Sequence, residues 1–187
     1  MRKRPPPVVI PPDRAPVEAA EAWKAVGLVN DWVKHAETKA AATLTAAGVI
    51  GGVLYSLVKE EKDIASLLAV LAVLCGVGVV LAAGFAITAL WPRLRAKEPP
   101  TSALYFDHIA RRHPKSAATY IEEFKHLVAS PEDLRDQLAQ QIWANAHVAR
   151  RKYQRAGEAL VCLVVALGAL AAVASYLALI STGVIDG

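Results

Sequence analysis

Residues 35–52 read HAETKAAATLTAAGVIGG. The stretch opens on charged and polar side chains, passes into small and apolar ones, and has no proline and no glycine before Gly48. One helix can therefore carry it from water into an apolar medium. Working outward, this is the start of an uncharged run over residues 40–58, and two more such runs follow at 64–91 and 159–185. They hold 19, 28 and 27 residues, against the roughly 20 helical residues that cross a bilayer core of about 30 Å. Backbone groups in lipid must bond within their own segment, so each run reads as a membrane-spanning helix. With 55% apolar residues in 187, the chain is too apolar for an ordinary soluble domain. The expectation is an all-α integral membrane protein with three transmembrane helices and a cytoplasmic helical layer continuous with two of them.

Charge sets the expected orientation. Nineteen of the 21 Lys and Arg residues precede the first run or lie between the second and third; Lys59 and Lys62 alone lie in the hairpin between the first two. The positive-inside rule then puts the N-terminus and residues 92–158 in the cytoplasm, and the hairpin and C-terminus outside. The net charge of +4 reflects this asymmetry and calls for no nucleic acid. Six of the eleven prolines fall in residues 5–16, so 1–16 reads as an extended basic arm, solvated or touching anionic headgroups. Its basic end is not followed by an apolar stretch long enough for a secretory signal.

The cytoplasmic part reads as four helices. Over 17–39, Val26, Val29, Val33, Ala36 and Ala40 share a face that Leu28 and Trp32 widen. Residues 101–113 and 114–128 form two short helices separated at Pro114, the second presenting Ile121, Phe124 and Val128. In SPEDL, Ser130 is an N-cap, Pro131 opens the first turn, and Glu132 and Asp133 lie at its positive end. Leu134, Leu138, Ile142, Ala149, Tyr153 and Ala156 then make a stripe running into the third span. The first and last helices both enter the membrane from the same side and are therefore parallel.

No catalytic constellation stands out. There is no nucleophile elbow, P-loop or metal-ligand spacing; the five histidines are scattered, and Asp107 and His108 point apart on a helix. Cys75 and Cys162 sit inside apolar runs as small packers. Gly48 and Gly52 form a small-xxx-small pair suited to helix packing, within one chain or between chains. Glu37, Lys39, Arg151 and Lys152 fall at one depth on the two parallel helices, which predicts one polar cluster there. If a small anion binds, the donors and flat surfaces on offer are Tyr105, His108, Arg111 and Arg112. The competing reading has the aromatics in the core and the arginines facing water.

Three motifs in order carry a resemblance: AETKAA at 36–41, YFDHIAR at 105–111, and QIWANAHVARRKYQRAGEAL at 141–160. They resemble the span entry, central element and closing helix of the Pycsar transmembrane effector family, over residues 20–180. The matching positions are Glu37, Thr38, Lys39, Tyr105, Phe106, Ile109, Arg151, Lys152 and Tyr153, with Glu37 in place of the commoner Asp. The resemblance implies a non-enzymatic bacterial antiphage effector of the inner membrane. It would act in a system whose partner cyclase makes a cyclic pyrimidine nucleotide, self-associate, and compromise the membrane. That nucleotide is the one ligand implied; no β-domain for binding it is visible, and no cofactor is expected. A membrane scaffold holding a cytoplasmic partner on its helical layer is the alternative.

Overall fold

The computed structural model describes residues 15–59, 66–91 and 102–182, with side chains from residue 20. The hairpin charges beyond Lys59, the 92–101 connection, the last five residues and most of the N-terminal arm lie outside the described residues. Among the described residues there are five helices and no strand: α1 (Ala15–Val58), α2 (Ser66–Leu90), α3 (Phe106–Arg112), α4 (Ala117–Ala129) and α5 (Pro131–Ser181). Helix α1 begins inside the stretch read as an arm, because a proline is tolerated in a first turn whose N–H groups have no intrahelical partner. Helices α1, α2 and α5 are each long and apolar enough to cross a membrane. At 25 residues, α2 spans about 37 Å. The chain is all-α and membrane-spanning.

The chain divides into two compact units. One takes α1 up to Asp31, α3, α4, and α5 up to His147; the other takes α1 from Trp32, α2, and α5 from Val148.

In the first unit, Val26, Ala103, Leu127, Leu134 and Leu138 form a core with Ala22, Leu104 and Ile142 against it. Two serines set the helix ends. The hydroxyl of Ser116 accepts from the Thr119 N–H at the start of α4, and that of Ser130 accepts from the Asp133 N–H at the start of α5. The face of α4 differs from expectation. Leu127 is buried, while Ile121, Phe124 and Val128 are exposed. Apolar residues cover about half of this helix, and polar tethers choose between the two possible faces. The Tyr120 hydroxyl reaches the Ala103 carbonyl at 3.3 Å, and Glu123, on the same side, holds Arg112 and His113. Leu28 likewise points outward.

In the second unit, buried residues on α1 are Ala36, Ala40, Thr43, Ala47 and Ile50, alternating in steps of four and three like a coiled-coil seam. Ala40 packs with Ala86 and Ala89 of α2 and Ala156 and Ala159 of α5, and Ile50 with Cys75 of α2 and Ala166 and Ala169 of α5; Gly78, Ala82 and Val173 are buried as well. The interior is mostly alanine, and the large side chains (Val70, Val73, Val77, Val80, Leu160, Val161, Val164) point outward. A bilayer reverses the soluble pattern in this way: lipid solvates valine and leucine well, so helices associate by close backbone approach through small residues. Among the described glycines the tightest fit is at Gly78, where an added Cβ would stand 3.0 Å from the Ala166 Cβ and 3.2 Å from its Cα. Gly48 and Gly52 are exposed, with nothing within 4 Å of an added Cβ, so they pack against no other helix among the described residues. Cys75 and Cys162 are free thiols.

Candidate functional site

Two of the four residues expected to cluster on α1 and α5 are in contact. The Lys152 ammonium donates to Glu37 Oε1 at 2.8 Å and to the Ala89 carbonyl at 2.7 Å. Ala89 lies in the last turn of α2, where carbonyls have no intrahelical partner and the helix dipole is negative. One side chain thus pairs with α1 and caps α2 from α5. Its register explains this. Leu138, Asn145, Lys152, Ala159, Ala166 and Val173 recur every seven residues, and all are buried or half-buried. Lys152, rather than Tyr153, continues the α5 seam; the Lys152 side chain is 12% exposed and Glu37 41%. Tyr153 is turned to the rim, with the Lys39 ammonium 5.4 Å from its ring centroid. Arg151 is exposed and lies about 100° around the helix from Lys152, so it does not join the pair.

One heptad earlier on both helices, within the first unit, Asn145 Nδ2 donates to Asn30 Oδ1 at 2.9 Å. A polar pair of this kind in a helix seam fixes axial register at some cost in stability. The sequence signal for it was the seven-residue step from Asn30 to Glu37 and from Asn145 to Lys152. Nothing in the sequence pointed to the Ala89 carbonyl.

The anion-binding candidates do not form one open face. Tyr105 precedes α3 with an extended backbone, so helical spacing does not align it with His108 and Arg112. Its ring packs on Phe106 at 4.8 Å and edge-on to His108 at 5.0 Å, and burial, with Asp107 nearby, raises its phenol above the usual tyrosine range. His108 is buried, with Nδ1 accepting the Ser102 N–H at 3.1 Å. Arg111 pairs with Asp107 at 3.6 Å, and Arg112 crosses to Glu123 of α4 at 2.5 Å. Glu123 also meets His113 Nε2 at 2.8 Å, and His113 Nδ1 lies 2.9 Å from Thr119 Oγ1. Sequence reasoning missed this Arg112–Glu123–His113–Thr119 linkage, for which chain spacing holds no signal. The nearby groove between α4 and α5 is lined by Glu123, Asp133 and Asp136, the wrong sign for an anion. Among the described residues no group of three His, Cys, Asp or Glu side chains is placed to hold a metal.

A family model described as the Pycsar effector protein domain matches residues 21–180. That range takes in α2, α3 and α4 whole and all but the first turns of α1 and the last residue of α5. The Pycsar effector protein PtPycTM of Propioniciclava tarda is 30% identical over 164 residues, covering 85% of this chain and 80% of that protein. No solved structure matches.

Proposed function

This chain belongs to the Pycsar effector family, and we propose that it is an antiphage defence effector that self-associates on a nucleotide second-messenger signal and disrupts the inner membrane. The single observation that carries this reading is the family match across all three apolar helices. The distribution of Lys and Arg supports an N-terminus and an α3–α4 region in the cytoplasm, with the C-terminus outside. The protein acts without catalysis, by changing its own assembly.

Self-association falls to α1. Its outward face carries Thr38, Ala41, Thr45, Gly48 and Gly52, again in steps of three and four and all exposed. The outward faces of α2 and α5 carry valine and leucine suited to lipid. A second copy seated on the small-residue face approaches to backbone distance.

The signal is a cyclic pyrimidine nucleotide from a partner cyclase. A nucleotide read directly by this chain binds at Tyr105, His108, Arg111 and Arg112, and must draw the arginines from Asp107 and Glu123. Calorimetry of the purified chain with cyclic nucleotides tests that step. No heat, with signal-dependent activity intact in cells, places the sensor on another protein.

A scaffold reading draws on the exposed Ile121, Phe124 and Val128 of α4 and predicts partner capture with the membrane intact. Inducible expression together with the cognate signal separates the two. The effector reading expects entry of a membrane-impermeant dye, and dye-free cells under a confirmed signal refute it.

A further inference from the structure

Several cations among the described residues are matched to carboxylates. Arg111, Arg112, Lys125, Lys152 and Arg155 each meet one. Among the described residues of the second unit, no carboxylate pairs with Lys39, Arg150 or Arg151, and all three are exposed; Arg151 lies about 200° around α5 from Tyr153 and faces away from Lys39, which leaves Lys39 and Arg150. They share one side of the α1–α5 pair. Lys39 lies over the Tyr153 ring, and Arg150 precedes Tyr153 by three residues, so it sits on the same helix face. Trp32, half exposed, stands two turns before Lys39 on α1. One heptad beyond Lys39 and Arg150 the same helix faces carry small residues: Ala46 of α1 is half-buried, and Gly157 of α5 has nothing within 4 Å of an added Cβ.

We infer that this side of the α1–α5 pair is a binding site for one anionic phospholipid. The headgroup phosphate is held by Lys39 and Arg150, and an acyl chain lies along Ala46 and Gly157. Lys39 and Arg150 supply the charge, Tyr153 and Trp32 supply rings that favour the headgroup level, and the same helix faces continue through Ala46 and Gly157 into the apolar part of the span. Lys152, two residues from Arg150, is excluded because its donors are already spent on Glu37 and Ala89. The inference rests on the membrane-embedded reading but not on the signal or the breach of the membrane.

The test is native mass spectrometry of the full chain released from nanodiscs of equal phosphatidylglycerol and phosphatidylcholine, with insertion scored separately. The wild type retains one phosphatidylglycerol. Lys39→Gln with Arg150→Gln weakens that retention about thirty-fold, equivalent to about 1 kcal/mol for each cation near an anionic surface. Lys115→Gln with Lys125→Gln removes the same charge elsewhere and stays within about twofold of wild type. Equal retention in the wild type and the Lys39/Arg150 variant overturns the site, and so does an equal loss in the control pair. Displacement of phosphatidylglycerol by inorganic phosphate or a soluble nucleotide overturns the lipid as occupant. Should the double variant fail to insert, Gly157→Leu decides with every charge kept: reduced retention supports the site, and unchanged retention overturns it.

Discussion

Lys152→Met keeps the aliphatic stem in the α5 seam and removes the ammonium. Two contacts go with it, and both are charge-assisted, a class worth about 1.5–3 kcal/mol when well buried. Glu37 is 41% exposed, so water screens that half of the interaction and its share falls to about 0.5–1 kcal/mol. The Ala89 carbonyl is the more sheltered half. A cation at a partly buried helix C-terminus contributes about 1–2 kcal/mol, and its removal leaves a carbonyl without a donor. The expected loss is therefore about 2 kcal/mol, with most of it on the α2 side. Glu37→Gln retains an acceptor for Lys152 and costs less, about 0.5–1 kcal/mol. The assay is reversible unfolding of the purified protein in mixed micelles, followed by helicity as the denaturing detergent fraction rises, on both single variants and the double. Because the variants share one hydrogen-bonded group, their effects couple: Glu37→Gln should cost nearly nothing once Lys152 is methionine. A Lys152→Met loss below about 0.5 kcal/mol refutes the reasoning, as does a Glu37→Gln effect that is the same in both backgrounds. Arg151→Ala, one residue away and exposed, should stay within about 0.5 kcal/mol of wild type.

Gly78→Ala forces a Cβ to 3.0–3.3 Å from Ala166 atoms, two of them backbone, and should cost about 1–3 kcal/mol in the same assay. Gly48→Ala and Gly52→Ala meet open space and should leave the monomer as stable or slightly more so; crosslinking in membranes should show them weakening self-association, and unchanged crosslinking would move the contact off α1. Replacing Asn145 alone by leucine should destabilise by about 1–2 kcal/mol by stranding Asn30; replacing both should recover most of that loss, and a double variant no better than the single would deny the pair its role. The phenol of Tyr105 is raised in the folded chain, so its contribution is intact below the unfolded value of about 10 and is lost as pH rises through the higher folded value. Tyr105→Phe should therefore flatten the fall in stability above about pH 10, and an unchanged alkaline limb would contradict that.

The helical class and the three spans were legible because length, charge exclusion and backbone satisfaction act along the chain. The helix start at Ser130 is local in the same sense, since a capping hydroxyl reaches only two or three residues ahead, whereas the start of α4 falls at Ser116 and not at Pro114. The candidate sites were legible in part. Glu37 and Lys152 could be placed at one depth from sequence, but Arg151 and Lys152 are adjacent, and 100° of rotation separates a side chain inside the seam from one in solvent. A chain position alone does not set that rotation. The same holds on α4, where Leu127 turns inward and Ile121 outward although both are apolar, because Tyr120 and Glu123 find partners on the inner side.

What the sequence by itself determined is an all-α chain with three bilayer-length helices, strongly asymmetric in positive charge, because hydropathy, helix propensity and capping are properties of neighbours in the chain. The tertiary structure decided which glycine lies at a helix crossing, which lysine caps α2, and which arginines are already spent on carboxylates. Each of these depends on groups brought together from distant parts of the chain, as with Ala89 and Lys152, 63 positions apart, and no local preference encodes such a distance.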